Sequence, residues 1–307
     1  MRYAALLTAS AATLAVFTLP RDGRSESMPA VQAASPAAQS AAAPALPAAT
    51  RQNGQEDFRW SGRVARGDKI EIRGLMGAVR AEPASGDQVE VVGRRVGDNA
   101  DQVRIEVVET DDGVLICAIY PMERSTRRGN ENARAGSGRE GACSNANAGE
   151  MNLTGDEPRI EFAVRVPAGV RFTARNIQGD IHASNLRGAV DAASVGGNVR
   201  VSTTGAARAA TVNGNVEATF GQTDGEDMTF ASVSGNVVVR MASSVGAEVV
   251  ANTLSGDIET DFALRVRGKD NQGGGFQIGQ QASGTIGRGG PELTLSTVSG
   301  NIRLLRN

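Results

Sequence analysis

Ser232-Val233-Ser234-Gly235-Asn236-Val237-Val238-Val239 contains one copy of a phrase that the second half of this chain repeats six times. The phrase is an aliphatic residue, any residue, Gly, Asn or Asp, then another aliphatic. Its copies lie at 177–181, 195–199, 212–216, 233–237, 254–258 and 298–302. The glycines, Gly179, Gly197, Gly214, Gly235, Gly256 and Gly300, are 18, 17, 21, 21 and 44 residues apart, the last gap being about two periods. A unit this short has no apolar face it can bury alone, so successive copies must stack.

The chemistry of the phrase suits a bend. Gly permits positive φ, and the neighbouring Asp180, Asn198, Asn215, Asn236, Asp257 and Asn301 tolerate the left-handed region while bonding their own backbone. The aliphatic residues on both sides of each bend are read as pointing inward. Alternation then continues through Val199 and Val201, Val237 and Val239, and Ile302 and Leu304. A weaker Gly-Ala corner falls between the strong ones at 186–190, 204–206 and 245–249, and 75–79 reads as an earlier copy of it. With corners 8 to 11 residues apart, one coil holds two short strands, and neighbouring coils sit about 4.8 Å apart. The fold class is therefore all-β, a parallel β-solenoid with coils of about 17–21 residues. The competing architecture is an antiparallel meander or sandwich with Gly-Asn hairpin turns. A recurrence of 17 to 21 residues favours the coil.

Outside the repeats the period is still two. Lys69-Ile70-Glu71-Ile72-Arg73, Gln88-Val89-Glu90-Val91 and Val103-Arg104-Ile105-Glu106-Val107 alternate cleanly and are bounded by turn residues, which predicts an N-terminal β region over 57–120. Residues 121–157, rich in Arg, Gly and Asn, read as a flexible insertion. The repeats occupy 158–307, with a loop projecting at 261–290. At the start, Arg2 followed by an uncharged Ala- and Leu-rich stretch reads as a signal peptide over 1–20, or as an uncleaved anchor. Residues 21–56, Ala/Pro-rich with few large apolar side chains, read as a disordered linker. Membrane contact is expected only if the first segment stays uncleaved. Export to the periplasm or cell surface is the expectation either way.

Among 307 residues the net charge is −2, and Lys69 and Lys269 are the only lysines. Without a basic stripe, nucleic acid is not an expected partner. Two cysteines in an exported chain suggest a Cys117–Cys143 disulfide, with two free thiols as the alternative. Bonded, they would close a loop of about 27 residues, worth roughly 3–4 kcal/mol by chain entropy.

Little in the sequence points to catalysis. His182, the single histidine, follows inward Ile181 and is turned outward by alternation, with no nucleophile motif beside it. The stacked Asp and Asn residues could offer oxygen ligands to calcium or form an amide ladder; four of the six are neutral Asn, which favours the ladder. Glu106, Glu109, Asp111 and Asp112 could serve a polysaccharide-active enzyme only as pairs at fixed separation across a groove. Sugar platforms are scarce, since Trp60 is the one tryptophan. No catalytic residue, metal site or cofactor is assigned.

The alternating corners, the run Gly256-Asp257-Ile258-Glu259-Thr260-Asp261-Phe262, and Gly284-Thr285-Ile286-Gly287-Arg288-Gly289-Gly290 followed by Thr297-Val298-Ser299-Gly300-Asn301-Ile302 resemble a widespread exported bacterial family. It is a domain of unknown function labelled a candidate adhesin. The resemblance runs from about Arg159 onward and more loosely from Phe58 to Tyr120. It implies a β-solenoid and brings no catalytic residues. The expected function is a non-catalytic, adhesin-like interaction or scaffold surface in the bacterial envelope, with Arg200, Glu217, Arg240 and Glu259 as outward residues of its face. Its partner would be an envelope protein, a surface polymer or further copies of itself. Two alternatives are a structural protein that polymerises through an open terminal coil, and an envelope polysaccharide-active enzyme.

Overall fold

The computed structural model describes residues 57–120, 143, 157–242, 244–268 and 279–307. The signal or anchor, the linker and nearly all of the 121–157 insertion lie outside the described residues.

The repeats form a parallel stack of two-stranded coils. Strands β8 (Arg171–Gln178) and β9 (Ile181–Leu186) make one coil, and β10 (Val190–Gly196) and β11 (Val199–Thr203) the next. Then come β12 (Ala207–Asn213) with β13 (Val216–Phe220), and β14 (Met228–Ser234) with β15 (Val237–Met241). Each odd-numbered strand pairs in parallel with the odd strand above it, and each even-numbered strand does the same. Val199, Val201 and Thr203 of β11 point inward while Arg200 and Ser202 point out. The inward residues of the two sheets meet as a single core, with Phe220 and Phe230 stacked at 5.8 Å within it.

The N-terminal β region belongs to the same stack. β2 (Lys69–Arg73) and β3 (Val79–Pro83) form a coil parallel to β8 and β9. Beyond it, β6 (Gly113–Ile119) and β7 (Arg159–Val166) add one more parallel strand to each sheet. Antiparallel strands then take over: β4 (Val89–Val96) on β7, β1 (Phe58–Gly62) on β4, and β5 (Arg104–Thr110) on β6. Trp60 on β1 is buried with the core. The segment at 75–79 belongs to the strong corner, contrary to its sequence reading. Gly77, with φ of 112°, lies under Gly179 and donates its N–H to the Gln178 carbonyl.

Tyr120 follows β6, buried, its hydroxyl donating to the Met76 carbonyl at 3.0 Å. Burial pushes this phenol up to about 12. A raised pKa in the folded state gives stability that is complete below about pH 10, where the unfolded phenol starts to ionise. It is lost as pH climbs to about 12. Replacing Tyr120 with Phe should remove this alkaline loss of about 2–3 kcal/mol, measured as the melting temperature across pH 9 to about 12.

The order of the last coils departs from chain order. β16 (Ala247–Ser255) and β17 (Ile258–Thr260) do not pair with β14 and β15. The coil of β20 (Glu292–Ser299) and β21 (Ile302–Arg306) lies between them, parallel to β14 and β15 on one side and to β16 and β17 on the other. The 44-residue glycine gap is therefore not two periods: Gly256 and Gly300 are direct neighbours in the stack. The expected open terminal coil is also corrected, since β21 is an interior strand and the short β17 forms that edge of its sheet.

The 261–290 stretch does not project as a loop where it is described. β18 (Arg265–Gly268) and β19 (Gln280–Ile286) continue the second sheet as antiparallel strands on β16. Phe262 covers the core end and carries the Arg306 guanidinium 5.3 Å above its ring. Residues 269–278 lie outside the described ones. The stack comprises a ten-stranded and an eleven-stranded sheet, called the first and second below.

Candidate interaction faces

The strong corners align into one column. In stacking order its glycines are Gly179, Gly197, Gly214, Gly235, Gly300 and Gly256, each packed on the carbonyl of the one before. Beside them runs a hydrogen-bond ladder. The Asp180 Oδ1 accepts the Asn198 N–H at 2.7 Å, Asn198 the Asn215 N–H at 3.0 Å, and Asn215 the Asn236 N–H at 2.9 Å. Asn236 then accepts from Asn301 at 2.8 Å, and Asn301 from Asp257 at 2.9 Å. Gln280 of β19 caps the row: its Nε2 donates to Asp257 Oδ1 at 3.0 Å and its Oε1 accepts the Ile258 N–H. These side-chain oxygens are committed to backbone N–H groups, which is structural work. Among the described residues no group of three or more His, Cys, Asp or Glu gathers as a metal site.

A second ladder lies inside the corner, and the sequence reading missed it. Asn176, Ser194, Thr211, Ser232, Thr297 and Thr253 each stand three residues before a corner glycine. Each turns inward and donates to the glycine carbonyl of the neighbouring coil, at 2.7–3.1 Å. A hydroxyl or amide at that position in all six copies was the available signal.

This inner ladder corrects the reading of the aliphatic residue that follows it. Because the hydroxyl takes the inward place, alternation sends the next side chain out. Ile177, Val195, Val212, Val233, Val298 and Leu254 are 39% to 51% exposed. The aliphatic after the bend is the inward one, buried at Ile181, Val199, Val216, Val237 and Ile302 and partly buried at Ile258. The bend changes which face a side chain takes, so two residues four apart across it point to different sides. The result is an apolar ridge along the second sheet, one residue per coil and about 24 Å long at the spacing of parallel strands. Beside it on the same face runs a trough of small side chains: Ala193, Ala210, Ala231 and Ser296, in register strand to strand.

The outer face of the first sheet is charged instead. Arg80, His182, Arg200, Glu217, Val238, Arg303 and Glu259 form one cross-strand row. Arg200 Nε donates to Glu217 at 2.7 Å, and Arg303 pairs with Glu259 at 2.9 Å. This hydrogen bond, donated by Arg200, holds the Glu217 carboxyl below its usual range and raises the guanidinium above its own. Arg240 sits one row over, opposite Thr219. The four residues read as an interaction face thus share one sheet, but Arg200–Glu217 and Glu259–Arg303 are tied as ion pairs within the chain.

A shallow cavity of 410 Å³ opens on this row, lined by Arg80, Asp180, His182, Asn198, Arg200 and Glu217 among others. Here Ser184 Oγ lies 2.9 Å from His182 Nε2, a contact the sequence reading did not foresee. A nucleophile–base pair needs an orienting acid. Asp180, two residues away, instead accepts both the N–H and the Nδ2 of Asn198, at 2.7 and 3.3 Å.

The remaining candidates are placed apart from these faces. Glu106 and Glu109 lie on the edge strand β5, while Asp112 is paired with Lys69 at 2.9 Å. The Cys117 and Cys143 sulfurs are bonded, fixing residue 143 against the second sheet with Val108 and Leu115 around it.

A parallel stack of Gly-cornered coils, with a ridge on one face and an ion-paired row on the other, defines a repetitive all-β solenoid. The chain belongs to the Toastrack DUF4097 family, whose model matches residues 140–305. It is similar in structure to a candidate cell adhesion protein from Clostridium sporogenes, with 10% identity and a TM-score of 0.45 over 82% of this chain and 100% of that one. A candidate adhesin from Bacteroides fragilis gives 14% and 0.24, over 81% and 96%. A candidate lipid binding protein from Parabacteroides distasonis gives 13% and 0.21, over 82% and 97%. Those names describe those proteins. No curated protein matches this chain.

Proposed function

We propose that this chain is a non-catalytic, exported β-solenoid that works as an adhesin-like interaction surface in the bacterial envelope. The observation that carries this reading is the six-residue aliphatic ridge. Single exposed aliphatics are ordinary on a folded chain, but a contiguous apolar strip marks an interaction face. Backbone bonding along the stack leaves the ridge side chains turned outward for recognition. The disulfide at Cys117 and Cys143 supports an oxidising compartment, periplasm or cell surface. The partner is another envelope protein, a surface polymer or a copy of the chain itself.

The test is adhesion of beads coated with the chain to intact bacterial cells. Changing Val212 and Val233 to Asp on one molecule should lower retention at least fivefold without changing the melting temperature by more than a few degrees. Equal retention by the parent and the variant would remove the ridge from the function. Turnover of an envelope polysaccharide, lost on changing Glu106 or Glu109 to Gln, would replace the proposal with an enzyme.

A further inference from the structure

We propose that the ridge and trough of the second sheet form a self-complementary face whose occupant is a second copy of this chain. The inference rests on the interaction-surface reading above and names the partner. Ridge and trough are adjacent columns on one face, two residues apart along each strand, or about 6.6 Å. A two-fold axis running along the stack, midway between the columns, sets the ridge of one copy over the trough of the other, and the reverse. Rung spacing is the same in both copies, so Val195, Val212, Val233 and Val298 enter the partner's row of Ala193, Ala210, Ala231 and Ser296 without losing register.

Charge on this face suits self-pairing. Ridge and trough carry no ionisable side chain in those four coils. Arg175, which continues the trough column beside Ala193, bonds Asp191 through both terminal nitrogens at 2.9 and 2.7 Å, and Arg208 bonds Glu226 at 3.0 Å, while Arg267 lines the other end of the face beside Val233 and Ser296. Over those four coils two copies bring no like charges into ridge or trough, whereas an anionic polymer would find the Arg175 and Arg208 guanidiniums already engaged. A concavity of 590 Å³ opens on this face beside Ala231, Val233, Ser296 and Val298, and a ridge of equal pitch fits it.

The area sets the strength. Four coils in register make a patch about 14 Å long and about 15 Å wide, roughly a quarter of the ~800 Å² per partner of a stable standard interface. The pairing is weak and reversible in solution, and gains from high local concentration where many copies share one surface.

The experiment is sedimentation equilibrium of the purified chain from about 10 μM to 1 mM. The mass should rise toward the dimer, and Val212→Asp with Val233→Asp should shift the midpoint at least tenfold. Filling the trough with Ala210→Phe should do the same, while Arg240→Ala on the first sheet should not. Because the described cysteines are bonded, position can be read by oxidation. A mixture of Val212→Cys and Ala210→Cys chains should cross-link several-fold faster than either alone. A monomer at every concentration, ridge variants that associate like the parent, or Val212→Cys alone cross-linking as fast as the mixture would each overturn the proposal. Cell adhesion without self-association removes only this inference; self-association without adhesion removes the envelope role and leaves the dimer.

Discussion

Deleting residues 291–307 is expected to abolish the cooperative melt of this protein rather than to trim an end from it. Those residues supply β20 and β21, the coil lodged between β14–β15 and β16–β17. Leu293, Leu295, Ile302 and Leu304 are each at most 1% exposed. At about 1.5–3 kcal/mol per buried aliphatic, their loss alone removes roughly 6–12 kcal/mol, as much as the whole stability of a typical domain. The deletion also strands the bonds that four neighbouring strands make to this coil and leaves β16 with nothing of the stack to pair with on that side. Circular dichroism against temperature reads the outcome. A sharp transition near that of the parent would show that β16 closes directly onto β14, and the inserted order would then carry no energetic weight. Leu295→Ala should keep the fold and cost about 2–5 kcal/mol.

The second large effect is expected at Gly235. Its φ is 155°, and a methyl group there would overlap the Gly214 carbonyl one coil away. Neither party can yield, because both are backbone inside a hydrogen-bonded column. Gly235→Ala therefore combines an unfavourable φ with a forced separation of coils, together about 3–5 kcal/mol. Gly225 is the control: its φ is 74° and nothing lies near the added methyl. Gly225→Ala should cost about 1 kcal/mol, the conformational part alone. Urea unfolding of the two variants separates strain from collision. Equal losses at both sites would mean that close approach between coils contributes nothing.

The two cases show how far the repeat could be read. Gly214 and Gly235 were recognisable as stacked corners because a short apolar unit has to be covered by its neighbour. Buried Val199 and Val216 followed from alternation. Val195 and Val212, four residues earlier, were misassigned because one Gly in the bend reverses the facing, and a letter pattern does not show that reversal. The inward Ser194 and Thr211 would have exposed the error, since their hydroxyls bond the carbonyls of the next coil.

From the sequence alone came the all-β class, the parallel stacking, the corner column and its amide ladder, because each depends on contacts between neighbouring copies of one motif. Tertiary structure decided the rest. It placed β20 and β21 inside the stack, joined 75–79 to the strong corner, drew β19 back onto β16, and lined up six outward aliphatics as a ridge. Those features depend on which coil lies beside which and on the side to which a bend turns its residues. Pairing between strands far apart in the chain settles both, and the spacing of letters along the chain does not encode it.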